Sequence, residues 1–278
     1  MPSPGLSLVG FLDQTQAISH LRTSCVPADS SDAALIAEWR KARDLLGTPF
    51  PFAGLPDVQD IPAAQQSYIA QLSAQPWVAQ WLATTPGTRF KLVEIDRLLT
   101  YQRIADVDQL TRHHDALAGS ATIDSLLPAC LPKTQAPVQV EAYWNAQSVI
   151  LKARGLALRA VKEGLLDPAR VGICFGAAFP LTQVVRFNGR YYMHNGVHRA
   201  VAARSLGATH IPCALRDVTD AAAVGIKTDG STFSQALMES PNPPTLGHFT
   251  QGRAHPVRVR AVSRVLHVSW SEYAILDE

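Results

Sequence analysis

The chain has 278 residues, 47% of them hydrophobic and 17% charged, with a formal net charge of +2. These proportions fit a compact globular protein of one large or two small domains and exclude an intrinsically disordered chain. A charge so near zero argues against a general nucleic-acid coat. The balance is uneven, however: residues 1–139 carry 10 Lys+Arg against 13 Asp+Glu and residues 140–278 carry 15 against 10, so the second half is the expected anion binder.

The four cysteines, Cys25, Cys130, Cys174 and Cys213, show no Cys-x-x-Cys spacing for zinc or a redox pair. No metal site is expected, and a reduced cytoplasm is the simpler setting. The opening MPSPGLSLVGFLDQ lacks the basic region and apolar core of a signal peptide. No stretch reaches the roughly 18 apolar residues of a membrane span, so a cytoplasmic protein without a membrane partner is expected.

Residues 13–84 read as helical. Asp13 is placed to cap a helix carrying Ala17, Ile18 and Leu21. Ser30 or Ser31 caps the next, where Leu35, Ile36, Trp39, Ala42 and Leu45-Leu46 recur at three- and four-residue steps and Gly47 and Pro49 end the run. Residues 48–62, rich in Pro and Gly, read as irregular surface chain. A third helix fits Tyr68, Ile69, Leu72, Trp77, Trp81 and Leu82. Its two tryptophans, one turn apart, read as a packed core stripe rather than a base-stacking platform.

Phe90–Leu99 changes to a short strand and turn, and Val107–Leu117 is compatible with a helix. His113 and His114 on that helix point about 100° apart with only Asp115 beside them, so two solvent-exposed imidazoles are expected rather than a metal pair. Residues 120–183 read as a β-rich segment: Val138–Glu141 alternates, Ser148–Leu151 is β-branched, and Leu156–Leu166 suits a helix or a strand.

Val184–Leu215 is the most legible stretch. Gln183–Phe187 is a strand, Asn188-Gly189 a hairpin turn, and Arg190–His194 the returning strand. Asn195-Gly196 then delivers the chain onto a helix that begins at Val197 and stops at Gly207, and Ile211–Leu215 is the next strand. A helix start of this kind presents backbone N–H groups and the positive end of a dipole to an anion. Arg199 opposes that dipole from the first turn, which a bound phosphate or carboxylate would compensate. The alternative is a plain β-to-α turn with Arg199 paired to a local Asp or Glu. Downstream, short helices are expected over Asp220–Ile226 and Phe233–Met238, followed by two strands, Val257–Val262 and Val265–Trp270, about a Ser263-Arg264 turn. Arg258 and Arg260 then share one face, read as a charged solvated edge in preference to a nucleic-acid contact.

Gly196-Val197-His198-Arg199, the alanine-rich helix after it, Gly207 and Ile211-Pro212 resemble the ParB/sulfiredoxin superfamily, whose members carry a Gly-x-His-Arg or Gly-Glu-Arg-Arg loop before such a helix. Pro180-Leu181, Val184-Val185, Gly189 and Tyr191 look like that family's hairpin, and Val93–Leu98 with Tyr101-Gln102-Arg103 is similar to its first box. The resemblance implies an α+β fold with a mixed sheet and packed helices over residues 89–218, interrupted by an insertion at about 120–178. A helical region, 1–88, would precede it, and a short β-rich extension, 219–278, would come after it.

By the same resemblance, Asn195, Gly196, Val197, His198 and Arg199 would hold a nucleotide, ATP or CTP with Mg²⁺, or another phosphorylated ligand. Gln102 and Arg103 would close the pocket, and His198 is the one candidate for catalysis. Three departures from the family pattern narrow the implied chemistry. Relatives that act as kinases place a glutamate base near the first box, where this chain has Gln102, with Glu94 inside the strand. Sulfiredoxins need a cysteine between the glycine and the His-Arg pair, where this chain has Val197. The helix-turn-helix of the partitioning members is not recognisable after Leu215. Two functions stay open: an enzyme that transfers or hydrolyses phosphoryl, and a non-catalytic, nucleotide-gated module that binds a protein or DNA partner. A degenerate member that kept the fold and lost the ligand is the third reading.

Overall fold

The computed structural model describes residues 2–27, 29–47, 54–135, 140–154, 159–167, 170–176, 180–260, 263–269 and 271, with backbone alone for those between 153 and 176 and for 263–264. In chain order the elements are β1 (Ser3–Ser7), a one-turn helix (Val9–Phe11), α1 (Gln14–Ser24), α2 (Asp32–Leu46), β2 (Val58–Asp60), α3 (Gln66–Ser73), α4 (Pro76–Thr84), β3 (Arg89–Glu94), β4 (Ile104–Asp106), α5 (Val107–Ala116) and α6 (Ile123–Cys130). There follow β5 (Glu141–Asn145), β6 (Ser148–Arg154), β7 (Arg159–Asp167), β8 (Arg170–Gly176), β9 (Gln183–Phe187), β10 (Arg190–Asn195), α7 (Val197–Ser205), β11 (His210–Asp217), α8 (Ala221–Val224), α9 (Gln235–Met238), α10 (Gly247–Thr250), β12 (His255–Val259) and β13 (Ser263–Ser269). The protein is a mixed α+β fold.

Contacts group the chain into two units: residues 1–133 with 181–260, and residues 134–180 with 261–278. This differs from a helical region, a central domain and an extension laid end to end. The N-terminal segment is part of the first unit because β1 lies between β12 and β4 in an antiparallel sheet, Ser3 opposite Val259 and Gly5 opposite Asp106. The main sheet of that unit has the order β10-β9-β11-β3-β2, with β11 parallel to β9 and antiparallel to β3. Its centre is apolar. Val93, Val184, Val185, Tyr192, Met193, Ile211 and Cys213 are fully buried, and α7 adds Val197, Ala200 and Ala203. The small alanines let α7 approach closely, and α5 and α6 pack against it.

The second unit contains two sheets. β5, β6 and β13 form one, in the order β13-β6-β5, and β7 pairs with β8 in the other. The β-rich reading of the middle segment therefore holds for residues 141–176, with Leu156–Leu166 resolved as strand from Arg159 onward; Val138-Gln139 and residues 155–158 lie outside the described residues.

Asp13 and Ser31 cap α1 and α2, accepting from the N–H groups of Gln16 and Ala34. The third helix is two helices, because Pro76 takes the first position of α4 and cannot continue α3. Trp77 and Trp81 are half-buried on α4, whose buried residue is Val78 between them. Residues 120–133 are not β-rich: α6 forms there despite Pro128, with Leu126, Leu127 and Cys130 buried. The expected irregular chain 48–62 contains β2. Ser263-Arg264 is not a turn but the start of β13, which pairs with β6 while β12 pairs with β1. Arg258 and Arg260 are both exposed.

Candidate functional site

The Asn188-Gly189 hairpin forms as the residues dictate, with φ of 48° and 74°, and β10 returns antiparallel to β9 until its register shifts between Met193 and Asn195. Gly196 then adopts φ 110° and ψ 19° and starts α7. A Cβ at this position would stand 3.0 Å from both Cγ2 and Oγ1 of Thr182, so glycine is required twice, by conformation and by space. The Asn195 amide donates to Leu181 O at 2.8 Å. α7 ends in the expected glycine stop: Gly207 N–H donates to Arg204 O and Ala208 N–H to Ala203 O, a Schellman pattern.

The first box wraps this hairpin and helix. Leu99 N–H donates to Tyr191 O, and Leu99 O accepts Met193 N–H. The Tyr101 hydroxyl donates to His194 O at 2.7 Å, and burial pushes its pKa up to about 12, against a hydrogen bond from Gln102 that lowers it. Arg204, in the last turn of α7, makes a forked ion pair with Asp96, at 3.0 Å. Gln102 thus reaches the neighbourhood of the loop through Tyr101. Arg103 donates to Thr232 O and stacks its guanidinium 5.6 Å over the Phe233 ring.

His198 and Arg199 take roles that differ from those expected. Nε2 of His198 accepts the backbone N–H of Asp106 at 3.0 Å, so its lone pair is occupied and the ring proton sits on Nδ1. Burial lowers its pKa to about 4; Asp106 works against that shift, and Arg112 and Arg199 add to it. The neutral imidazole thus has its Nε2 lone pair engaged and keeps one N–H, on Nδ1. The Arg199 guanidinium reaches the carbonyls of Cys130, at 3.3 Å, and Ala129. These are the last carbonyls of α6, where a cation satisfies both the acceptors and the dipole. Arg199 is thus seated on a helix end.

His113 departs from the expected exposed pair. It is half-buried while His114 is exposed, and its pKa falls to about 4 through burial first, then through Arg199, His198 and Arg112. The faces of α5 and α7 thus bring two neutral imidazoles and two guanidinium groups into one electrostatic neighbourhood. The nearby Asp106 carboxylate is already engaged: Oδ1 caps α5 by accepting Gln109 N–H, and Oδ2 accepts the Ser3 hydroxyl. Asp106 escaped the sequence reading, although Asp106-x-x-Gln109 ahead of an apolar run is a capping signal. Tyr101 and Thr182 carried no such signal.

Among the described residues, no group of three or more His, Cys, Asp or Glu is placed to hold a metal ion, and no helix is long and apolar enough to cross a membrane. Cys25, Cys130 and Cys213 are buried thiols, and burial raises the pKa of Cys130 to about 11, so it is protonated. No known family matches this chain, and no curated protein or solved structure does.

Proposed function

We propose that the β10–α7 turn binds a phosphorylated ligand, with ATP or CTP carrying Mg²⁺ as the leading class, and that the protein is a non-catalytic binding module rather than a phosphotransferase. The order of β3, α5, α6, the β9–β10 hairpin, α7 and β11 supports a ParB/sulfiredoxin-like domain. The guanidinium groups of Arg112 and Arg199, near the helix start beside the neutral rings of His113 and His198, support an anion there. Mg²⁺ would arrive on the nucleotide's own phosphates, since the nearest carboxylate, Asp106, is committed to Gln109 and Ser3.

One observation carries the choice of a binding module. His198 and Arg199, the side chains that chemistry would need, instead brace α7 against the start of α5 and the end of α6. An anion drawn onto the first N–H groups of α7 pulls on both braces, so occupancy is felt by two further helices. A protein or DNA partner would read that change, with Arg258 and Arg260 the exposed basic pair available to DNA. The cytoplasm is the proposed setting.

Calorimetric titration with ATP–Mg²⁺, CTP–Mg²⁺ and inorganic phosphate tests this reading. The wild type is expected to bind at least one of them saturably. Arg112→Gln, an exposed change, should weaken binding severalfold while leaving the fold intact. Arg199→Ala should lose binding along with roughly 1 kcal/mol of stability, because the Cys130 carbonyl keeps the Thr182 N–H while the half-buried Ala129 carbonyl loses the guanidinium. No saturable binding by folded wild-type protein would sink the reading, and phosphate release above buffer background would return the enzyme.

A further inference from the structure

The first unit contains a cavity of about 170 Å³ lined by Gly10 and Phe11 of the one-turn helix, Arg43 and Leu46 of α2, and Asn242 and His248 on either side of the turn into α10. None of these residues belongs to the β10–α7 turn. The size suits one six-membered ring, since a dry cavity of about 150 Å³ accepts benzene.

The polar part of the lining is one-sided. Thr245 N–H donates to Nδ1 of His248 at 3.0 Å, while Thr245 O stands farther off at 3.3 Å. Two hydrogens cannot face each other, so the neutral ring carries its proton on Nε2. Among the described residues Nε2 has no hydrogen-bond partner. Burial above all, against the Thr245 backbone and with help from Arg253, brings the pKa of this imidazole down to about 4, which keeps it a neutral donor. Phe11 packs edge-on against the ring, with centroids 4.9 Å apart, and fixes its plane.

Arg43 supplies the charge. Its guanidinium lies 5.3 Å over the Trp39 ring, whose indole N–H is anchored to Leu12 O at 3.0 Å, so the arginine is held at the cavity wall by stacking. No carboxylate lines the cavity among the described residues. An apolar wall of Phe11 and Leu46, a neutral N–H donor and a guanidinium complement an anion with an apolar body. A bare phosphate would leave Phe11 and Leu46 uncovered, and a neutral ring would leave Arg43 and Nε2 unanswered.

We infer that this cavity binds a small carboxylic acid with a compact apolar body, its carboxylate facing Arg43 and the His248 Nε2–H and its ring or branched chain against Phe11 and Leu46.

Benzoate is the probe, and benzyl alcohol, with the same ring and no charge, is its control. In a ¹H–¹⁵N titration of the full chain, benzoate should shift the Gly10 and Gly47 amides saturably, with benzyl alcohol at least tenfold weaker. Arg43→Gln, on an exposed position, should weaken benzoate about tenfold and leave benzyl alcohol unchanged. Saturating ATP–Mg²⁺ or phosphate should not alter benzoate affinity, which keeps this site distinct from the α7 turn. Absence of saturable shifts, equal affinity for the two probes, or full benzoate affinity in Arg43→Gln would each overturn the assignment.

Discussion

Strand β10 is flanked by two Asn-Gly pairs that use the same dipeptide for different ends. Asn188-Gly189 closes an exposed hairpin; a Cβ on Gly189 would meet nothing within 4 Å, and the Asn188 amide reaches Glu239 at 2.9 Å. Asn195-Gly196 turns the chain inward against Thr182, onto a helix braced by His198 and Arg199. One pair needs only backbone freedom. The other needs freedom and room, and the residues after it are engaged in tertiary bonds. The contrast teaches that a turn signal in a sequence reports local geometry, and that its surroundings decide whether it is a hinge or a keystone.

The largest effect that tests this contrast is expected at Gly196. Valine there combines a positive φ with a crowded Cβ, so Gly196→Val should destabilise the protein by on the order of 3 kcal/mol in urea unfolding. A loss under about 1 kcal/mol would show that the two turns are equivalent. Acid comes next. His198 and His113 fold as neutral rings with pKa held down at about 4, so their contribution to stability is fully present above the ordinary value of 6.5 and is lost as pH falls through about 4. Between pH 7 and 4 the Gly196 amide should broaden or shift in ¹H–¹⁵N spectra while the Gly189 amide stays put; equal movement of both would break the comparison. The smallest effect belongs to Gly189→Ala, about 1 kcal/mol from its left-handed backbone alone, with ligand binding unchanged.

Legibility followed range. The β9–β10 hairpin, α7 and its glycine stop were readable because their determinants lie within a few residues: Asn188-Gly189 for the turn, Gly207 for the stop. Asp13 and Ser31 announced their helices in the same way. β1, β2 and β4 were not readable, since strands of three to five residues whose partners are distant in sequence carry little pattern of their own. The break at Pro76 was visible in principle and was hidden by the continuing apolar spacing of Trp77 and Trp81. The candidate loop was found as a place; the roles of its side chains were not. Nothing in Gly-Val-His-Arg says that Nε2 of His198 will meet Asp106 or that Arg199 will reach the end of α6, because those partners are set by packing.

Ser3 sits opposite Val259, and its hydroxyl also holds the Asp106 carboxylate whose backbone receives His198. On the ribosome, at roughly 5–20 residues per second, β1 can pair with β4 once residue 106 has emerged but waits for tens of seconds before its other neighbour, β12, is made. The hairpin and α7 can form while that wait continues, but the three-stranded sheet that has β1 at its centre cannot be completed. The sheet that backs the α5 brace on the candidate loop is therefore among the last things assembled, and a nascent chain acquires the shape of the site well before it acquires the full rigidity.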